Sequence, residues 1–190
     1  MQLGFYFDQT RCTGCWTCVV ACKDWNDVPA GSASWMRVSA IVHGRFPEVF
    51  MAWVAVPCFH CQRPRCIEAC PADALVKRKE DGIVIVDREA CLGKDKCGMC
   101  RDACPYGAPQ FGDEPGAKMQ KCNFCLDRWI EGKKPACVMA CPTRALDAGP
   151  IEELESRYGT GREAPGWRYD PALGPSVVVK AKQAVFISRY

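Results

Sequence analysis

The sequence predicts an α+β chain, rich in loops, in which short strands and short helices build one domain or two small intertwined ones. Three observations predict it. The sixteen cysteines fall into four groups of four and leave none over. Each group ends C-x3-C, so one device recurs along the chain. Between the groups the apolar runs are short, with strand-like alternation or one to two turns of helix, and none is long enough to make a core alone.

"LGFYF", residues 3–7, reads as a strand leading into the first quartet, Cys12, Cys15, Cys18 and Cys22. "WTCVVACKDW" carries the last of these on a helix. "MAWVAV", residues 51–56, is a second strand and leads into Cys58, Cys61, Cys66 and Cys70, the last on the short helix of "IEACP". "ALVKR" and "IVIVD" flank Asp81-Gly82 and read as a hairpin. The third quartet is Cys91, Cys97, Cys100 and Cys104, spaced x5, x2 and x3 where the first quartet is x2, x2 and x3. The fourth is Cys122, Cys125, Cys137 and Cys141. Proline follows the last cysteine at Pro71, Pro105 and Pro142, but Lys23 stands there in the first quartet. "PIEELESRYG" reads as a helix ended by Gly159. Residues 159–175 read as loop, and "SVVVK" and "AVFIS" as terminal strands. "CPYGAPQ" and "DAGPIEEL" carry no titratable group in a catalytic pairing and read as turns and packing.

Thiolates are soft ligands that select zinc or iron–sulfur over hard cations. A single CxxC says little. In C-x2-C-x2-C-x3-C-P the first three thiolates wrap one face of a cubane and the fourth leaves on a short helix; in two-cluster ferredoxins that fourth thiolate serves the neighbouring cluster. Sixteen cysteines suffice for four [4Fe–4S] clusters. Structural zinc normally shows two cysteine pairs and a longer spacer, and eight disulfides would need an oxidising compartment. Hairpin and quartet, repeated, is the plan of a bacterial-type 2[4Fe–4S] ferredoxin, and here it occurs twice, with the clusters supplying much of the core. Two alternatives stand beside an electron carrier: a zinc-stabilised interaction module without redox activity, which would be colourless, and a free-standing polyferredoxin.

"MQLGFYFDQTRC" has neither basic region, apolar core nor cleavage site, so a cytoplasmic chain with reduced thiols is expected. The absence of an apolar run of about 18 residues predicts no membrane span. The formal charge of +3 comes without basic runs interleaved with aromatics, so nucleic acid is not an expected partner. Four oxidised cubanes with their thiolates, at roughly −2 each, would turn that charge negative.

"FDQTRCTGCWTCVVACKDW", "CPYGAPQF", "KMQKCNFCLDRWIEGKKPACVMACPTRAL" and "DAGPIEEL" together resemble the iron–sulfur subunit of the dimethyl sulfoxide reductase-like molybdenum or tungsten bis-pterin oxidoreductases, over roughly residues 4–160. The resemblance implies an electron-transfer subunit, with catalysis in a larger Mo/W bis-pterin partner. It implies that quartets one and four share an outer ferredoxin-like domain, residues 1–56 plus 113–190, and quartets two and three an inner one, residues 57–112. Each pair would exchange last cysteines. One cluster then takes Cys12, Cys15, Cys18 and Cys141, and its neighbour Cys122, Cys125, Cys137 and Cys22. A third takes Cys58, Cys61, Cys66 and Cys104, and the last Cys91, Cys97, Cys100 and Cys70. The catalytic subunit would dock near the first-quartet cluster. A membrane quinone subunit, flavoprotein or ferredoxin would dock near the third-quartet cluster, and any membrane or export route would come through partners.

In the relatives the third quartet usually reads C-x2-C-x2-C-x3-C, so "KDK" at 94–96 behaves as an insertion. Gly93 turns the chain after Cys91, the tripeptide loops out as a surface bulge, and its deletion is expected to leave every cluster intact. Cys97 stands where some relatives lack a ligand, so four cubanes are expected, with Cys91 a ligand. Trp16 and His60 lie beside ligands and read first as structural neighbours, with tuning of cluster potential the alternative. Trp25, Trp35 and Trp53 read as core or interface residues. Lys121, Lys133 and Lys134 are candidates to moderate cluster charge, with plain solvation the alternative.

Overall fold

A computed structural model describes residues 1–183. Its elements in chain order are β1 (Leu3–Asp8), α1 (Thr17–Trp25), β2 (Arg37–Arg45), β3 (Glu48–Val56), α2 (Arg65–Glu68), β4 (Leu75–Lys77), β5 (Val84–Val86), α3 (Met99–Asp102), α4 (Leu126–Ile130), α5 (Ala136–Met139), β6 (Leu146–Pro150), α6 (Ile151–Tyr158) and β7 (Val177–Lys180). Helix and strand are mixed, and long loops join them.

β1 sits at the centre of a three-stranded sheet, antiparallel to β6 and parallel to β7. All six of its residues are buried, which fits a strand with apolar side chains on both faces. Leu3, Phe5 and Phe7 face the main core, where the Phe5 ring lies 4.7 Å from that of Phe124. Burial of each such side chain stabilises the fold by about 1.5–3 kcal/mol. Tyr6 faces the other way, toward Ile151, Leu154 and Val178. A Cβ on Gly4 would lie 2.5 Å from the Ser176 carbonyl oxygen, so glycine lets β1 approach this close.

α6 covers that second face. Ile151 and Leu154, three residues apart, point at the sheet, Glu152 and Glu153 sit in the first turn, where the helix dipole favours them, and Gly159 at φ 86° ends the helix. Asp147 of β6 accepts hydrogen bonds from Tyr158 Oη (2.8 Å) and Lys134 Nζ (3.0 Å), which ties helix to strand.

β4 and β5 form the hairpin predicted around Asp81 and Gly82. Asp81 pairs with Arg78 at 2.9 Å and accepts from the Ile83 amide, while Gly82 takes φ 71°. Two elements differ from the sequence expectation. The strand expected at 51–56 is half of a longer hairpin, β2 with β3, which turns at the cis Phe46–Pro47 peptide and leaves Phe46 92% exposed. β2, "RVSAIVHGR", is too polar to advertise itself. Likewise, residues 147–150, read as turn and packing, are strand β6. "LDAGP" has little intrinsic β preference, and its conformation comes from pairing with β1. The strand expected at "AVFIS" lies outside the described residues.

The helices that carry cysteines pack in pairs, α1 with α5 and α2 with α3. Only α1 carries the last cysteine of its quartet, whereas α2, α3 and α5 carry the third, Cys66, Cys100 and Cys137, and end before the last. The main core includes thiols among its aliphatic and aromatic side chains: Cys18, Cys22, Cys58, Cys122, Cys137 and Cys141 all lie within it.

Candidate iron–sulfur sites

Three quartets share a local device that begins in the sequence C-P-x-x-A: Cys70 to Ala74, Cys104 to Ala108 and Cys141 to Ala145. The residue before each alanine is left-handed, Asp73 at φ 48°, Gly107 at 59° and Arg144 at 55°. That turn aims the alanine amide back at the sulfur. Ala74 N and Ala145 N donate to Cys70 Sγ and Cys141 Sγ, both at 3.3 Å, and the Ala108 amide acts on Cys104 in the same sense. All three alanines are buried. An amide hydrogen bond favours thiolate over thiol. The motif stands in the sequence as a threefold repeat, of which the spacing argument uses only the proline. In the first quartet, where Lys23 replaces proline, Asn26 Nδ2 reaches both Cys22 Sγ and Cys125 Sγ at 3.9 Å instead.

The cysteines themselves gather four by four. Cys12, Cys15, Cys18 and Cys141 line one cavity together with Gly14 and Trp16. Burial, then the neighbouring Cys12, Cys141 and Cys15, push the Cys18 thiol up to about 12. Burial and then Cys122, Cys22 and Cys125 raise Cys137 well above the ordinary thiol value, which marks a second group. In a third, burial followed by Cys58, Cys104 and Cys66 lifts Cys61 to about 12. Cys70, Cys91, Cys97 and Cys100 line another cavity, beside Leu75 and Phe111. Neighbouring groups also act on one another. Cys18 bears on Cys22 and Cys137, Cys58 on Cys122, and Cys100 on Cys66, so the groups follow one another in a row.

Among the described residues, no three His, Cys, Asp or Glu side chains converge closely enough to hold a single metal ion. Tetrahedral zinc needs all four ligands at about 2.0–2.3 Å from one point. Eight of the thiols instead line two cavities, as a body larger than one ion requires.

Two buried polar groups point the same way. His60 is completely buried at φ 45°; its Nδ1 accepts from the Val84 amide (3.0 Å), and its Nε2 has no partner among the described residues. Burial, with the Lys121 and Lys77 ammonium groups nearby, holds the ring neutral, so Nε2 carries the proton and is an unused donor. Lys121 is 2% exposed and has no carboxylate within ion-pair distance among the described residues. Of the other candidate lysines, Lys133 is exposed and pairs with Glu131, and Lys134 pairs with Asp147. A donor set of clustered thiols, amides aimed at sulfur, an orphaned N–H and an uncompensated cation fits an anionic iron–sulfur cluster.

The third quartet's bulge is at the surface, with Asp95 and Lys96 exposed, but it does not hang free. Gly93 turns at φ 86°, so tight that a Cβ would lie 2.6 Å from the Gly116 carbonyl oxygen. Lys94 N donates to Ala117 O (2.9 Å), Lys94 Nζ to Gly112 O (2.9 Å) and Asp113 O (2.7 Å), and Gly116 N to Asp95 Oδ2 (2.6 Å). The clasped stretch of loop in turn holds Cys91: Lys118 Nζ donates to Cys91 O and Met119 N to Cys91 Sγ.

Of the aromatic candidates, Trp53 lies over Gly14 and packs with Trp35 against the core, whereas Trp25 is 45% exposed with the Arg128 guanidinium 4.3 Å from its ring.

Comparison with known proteins places this architecture in a class. Residues 49–151 match the family model described as a 4Fe-4S dicluster domain. The B subunit of anaerobic dimethyl sulfoxide reductase from Escherichia coli is 46% identical over 166 residues, covering 83% of this chain and 78% of that protein. The corresponding subunit from Haemophilus influenzae is 39% identical over 196 residues, with coverages of 98% and 93%. The thiosulfate reductase electron transfer subunit PhsB of Salmonella typhi is 39% identical over 158 residues, with coverages of 82% and 80%. The chain belongs to the family of iron–sulfur subunits of dimethyl sulfoxide reductase-like oxidoreductases.

Proposed function

We propose that this chain is a non-catalytic electron-transfer subunit carrying four [4Fe–4S] clusters. The observation that carries the reading is the gathering of sixteen thiols into four groups in a row. The ligand sets are Cys12, Cys15, Cys18 and Cys141; Cys22, Cys122, Cys125 and Cys137; Cys58, Cys61, Cys66 and Cys104; and Cys70, Cys91, Cys97 and Cys100. Two intertwined ferredoxin-like domains, 1–56 plus 113–190 and 57–112, hold them. The pairing of α1 with α5 and of α2 with α3 supports that division.

A bound cubane supplies one-electron redox chemistry over a wide range of potentials. The protein's part is to hold the clusters at fixed positions, exclude water from the inner two and set their charge environment. A larger Mo/W bis-pterin subunit meets the end near the first-quartet cluster, where Trp16 and Val20 are exposed. A membrane quinone subunit, a flavoprotein or a ferredoxin meets the other end. Among the described residues no helix is long and apolar enough to cross a membrane, so membrane contact would come through that partner.

Anaerobically purified protein should contain iron and acid-labile sulfide near sixteen each, as about four of each per cubane requires, and should co-purify with a pterin-containing chain. Iron close to eight, or colourless protein with zinc, would overturn the four-cluster reading.

A further inference from the structure

Lys121 is the most deeply buried cation of the described chain and the least explained. Its ammonium donates to Cys122 O (3.0 Å) and to Val84 O, and among the described residues to nothing negatively charged. Those two carbonyls come from different units of the fold: Cys122 belongs to the fourth quartet, and Val84 opens β5 of the hairpin between the second and third. The Val84 that it holds donates its own amide to His60 Nδ1, and His60 stands between Cys58 and Cys61 of the second quartet. Lys121 therefore stands at the junction of two thiol groups.

An ammonium in a low-dielectric interior is costly unless a counter-charge is at hand. Carbonyl oxygens satisfy its hydrogen bonds but carry no net charge. The two outlying cavities differ: neither the lining around Cys12 and Cys141 nor that around Cys70 and Cys91 contains a charged side chain among the described residues. Other cations approach the thiol groups, Arg37 at the Tyr106 and Gly107 carbonyls after Cys104 and Lys118 at the Cys91 carbonyl of one end, but of the three only Lys121 is buried.

We propose that Lys121 is a shared, buried counter-charge of the two inner clusters, the one held by Cys22, Cys122, Cys125 and Cys137 and the one held by Cys58, Cys61, Cys66 and Cys104, and that it keeps both reducible. This rests on the four-cluster reading above. Adding an electron to an already anionic cluster is opposed most strongly where water is excluded, so burial lowers the potential of the inner pair. A fixed positive charge between them offsets that penalty for both. Lys121 is a positioning residue in this sense: it touches no substrate and changes the ease with which the electron is received. His60 Nδ1 and Lys121 Nζ hold the N–H and C=O of the same residue, Val84, so the ammonium is anchored by a rigid strand end.

The test uses the full chain, purified anaerobically in its native complex, with redox titration followed by electron paramagnetic resonance. Lys121→Gln keeps a donor for the two carbonyls and removes the charge. The expected result is full iron content, a fall in the midpoint potentials of two clusters, the other two unmoved, and recovery in Lys121→Arg. Unchanged potentials, or an equal shift of all four, overturns the proposal. If Lys121→Gln loses the two inner clusters, Lys121→Arg decides: retention of both supports a required charge, and loss of both assigns Lys121 a purely steric role and overturns it. Wild-type iron near eight would sink the four-cluster reading itself. Wild-type iron near sixteen with an unmoved Lys121→Gln spectrum would sink only this inference, the counts following from about four irons per cubane.

Discussion

Deleting residues 94–96 gives the third quartet the spacing of the first, and from spacing alone the deletion should be harmless. The clasp made by those residues predicts the opposite. Deletion removes the Lys94 amide bond to Ala117, the Lys94 ammonium bonds to Gly112 and Asp113, and the Asp95 carboxylate bond from Gly116. A neutral hydrogen bond contributes about 0.5–1.5 kcal/mol net and a charged one about 1.5–3. Because these side chains are partly exposed, the low ends apply, and one neutral and three charged bonds sum to about 5 kcal/mol. For a domain of this size that is a fall of about 10–20 °C in apparent melting temperature. The damage should be local, since the loosened segment is the one whose Lys118 and Met119 hold Cys91. The assay is the temperature at which visible absorbance is lost, with iron content and electron paramagnetic resonance of the terminal site alongside. Lys94→Met should reproduce about half the effect. A deletion variant with the wild-type melting temperature and an unaltered spectrum would refute the reasoning.

Cys91→Ser should convert the terminal cluster to a three-iron form, paramagnetic when oxidised, or to a cubane of shifted potential, and leave the other three; an unchanged spectrum would remove Cys91 from the ligand set. Gly14→Ala forces a left-handed alanine (about 1–2 kcal/mol) and puts its Cβ 2.3 Å from the Trp53 indole, with overpacking worth about 1–3 kcal/mol more. Iron at the first site should fall, and Trp53→Ala should restore part of it; no rescue would show that the ring is not the obstacle. Burial works to raise the Asp147 carboxyl, but hydrogen bonds from Lys134, Tyr158 and the Ala148 amide hold it below the ordinary value. A depressed folded value means that its contribution is complete above the unfolded value, near 4, and is lost as pH falls through the folded one. Asp147→Ala should therefore cost about 1.5–3 kcal/mol at neutral pH and less in acid, read as a melting-temperature difference at the two pH values.

The strands that carry large apolar side chains, β1 and β7, are legible in the sequence, as is the hairpin at Asp81-Gly82, because pattern and turn chemistry agree there. β6 is not, because Ala148 and Gly149 have no strand preference and owe their conformation to β1 across the sheet. β2 escapes for a related reason: its exposed, mixed residues show no alternation, and only its partner makes it a strand. At the sites, cysteine spacing announces the chemistry. What spacing cannot announce is the company the thiols keep. Lys121 looks like any surface lysine beside a cysteine, and "KDK" like an idle insertion, until distant segments supply their carbonyls. C-P-x-x-A is the exception, a signal present three times over in plain sight.

The place of β1 between β6 and β7 has a consequence for biosynthesis. Of the seven strands it leaves the ribosome first, and both its partners come from the far end of the chain. At about 5–20 residues per second, some 10–30 s separate β1 from the residues that complete its sheet. During that interval Phe5 and Leu3 have no sheet to join, and the cavity of Cys12, Cys15 and Cys18 lacks Cys141. The second quartet waits as well, since Gln62 N and Arg63 N donate to the carbonyls of Gly174 and Leu173. The site nearest the N-terminus therefore cannot be sealed until the far end of the chain has been made.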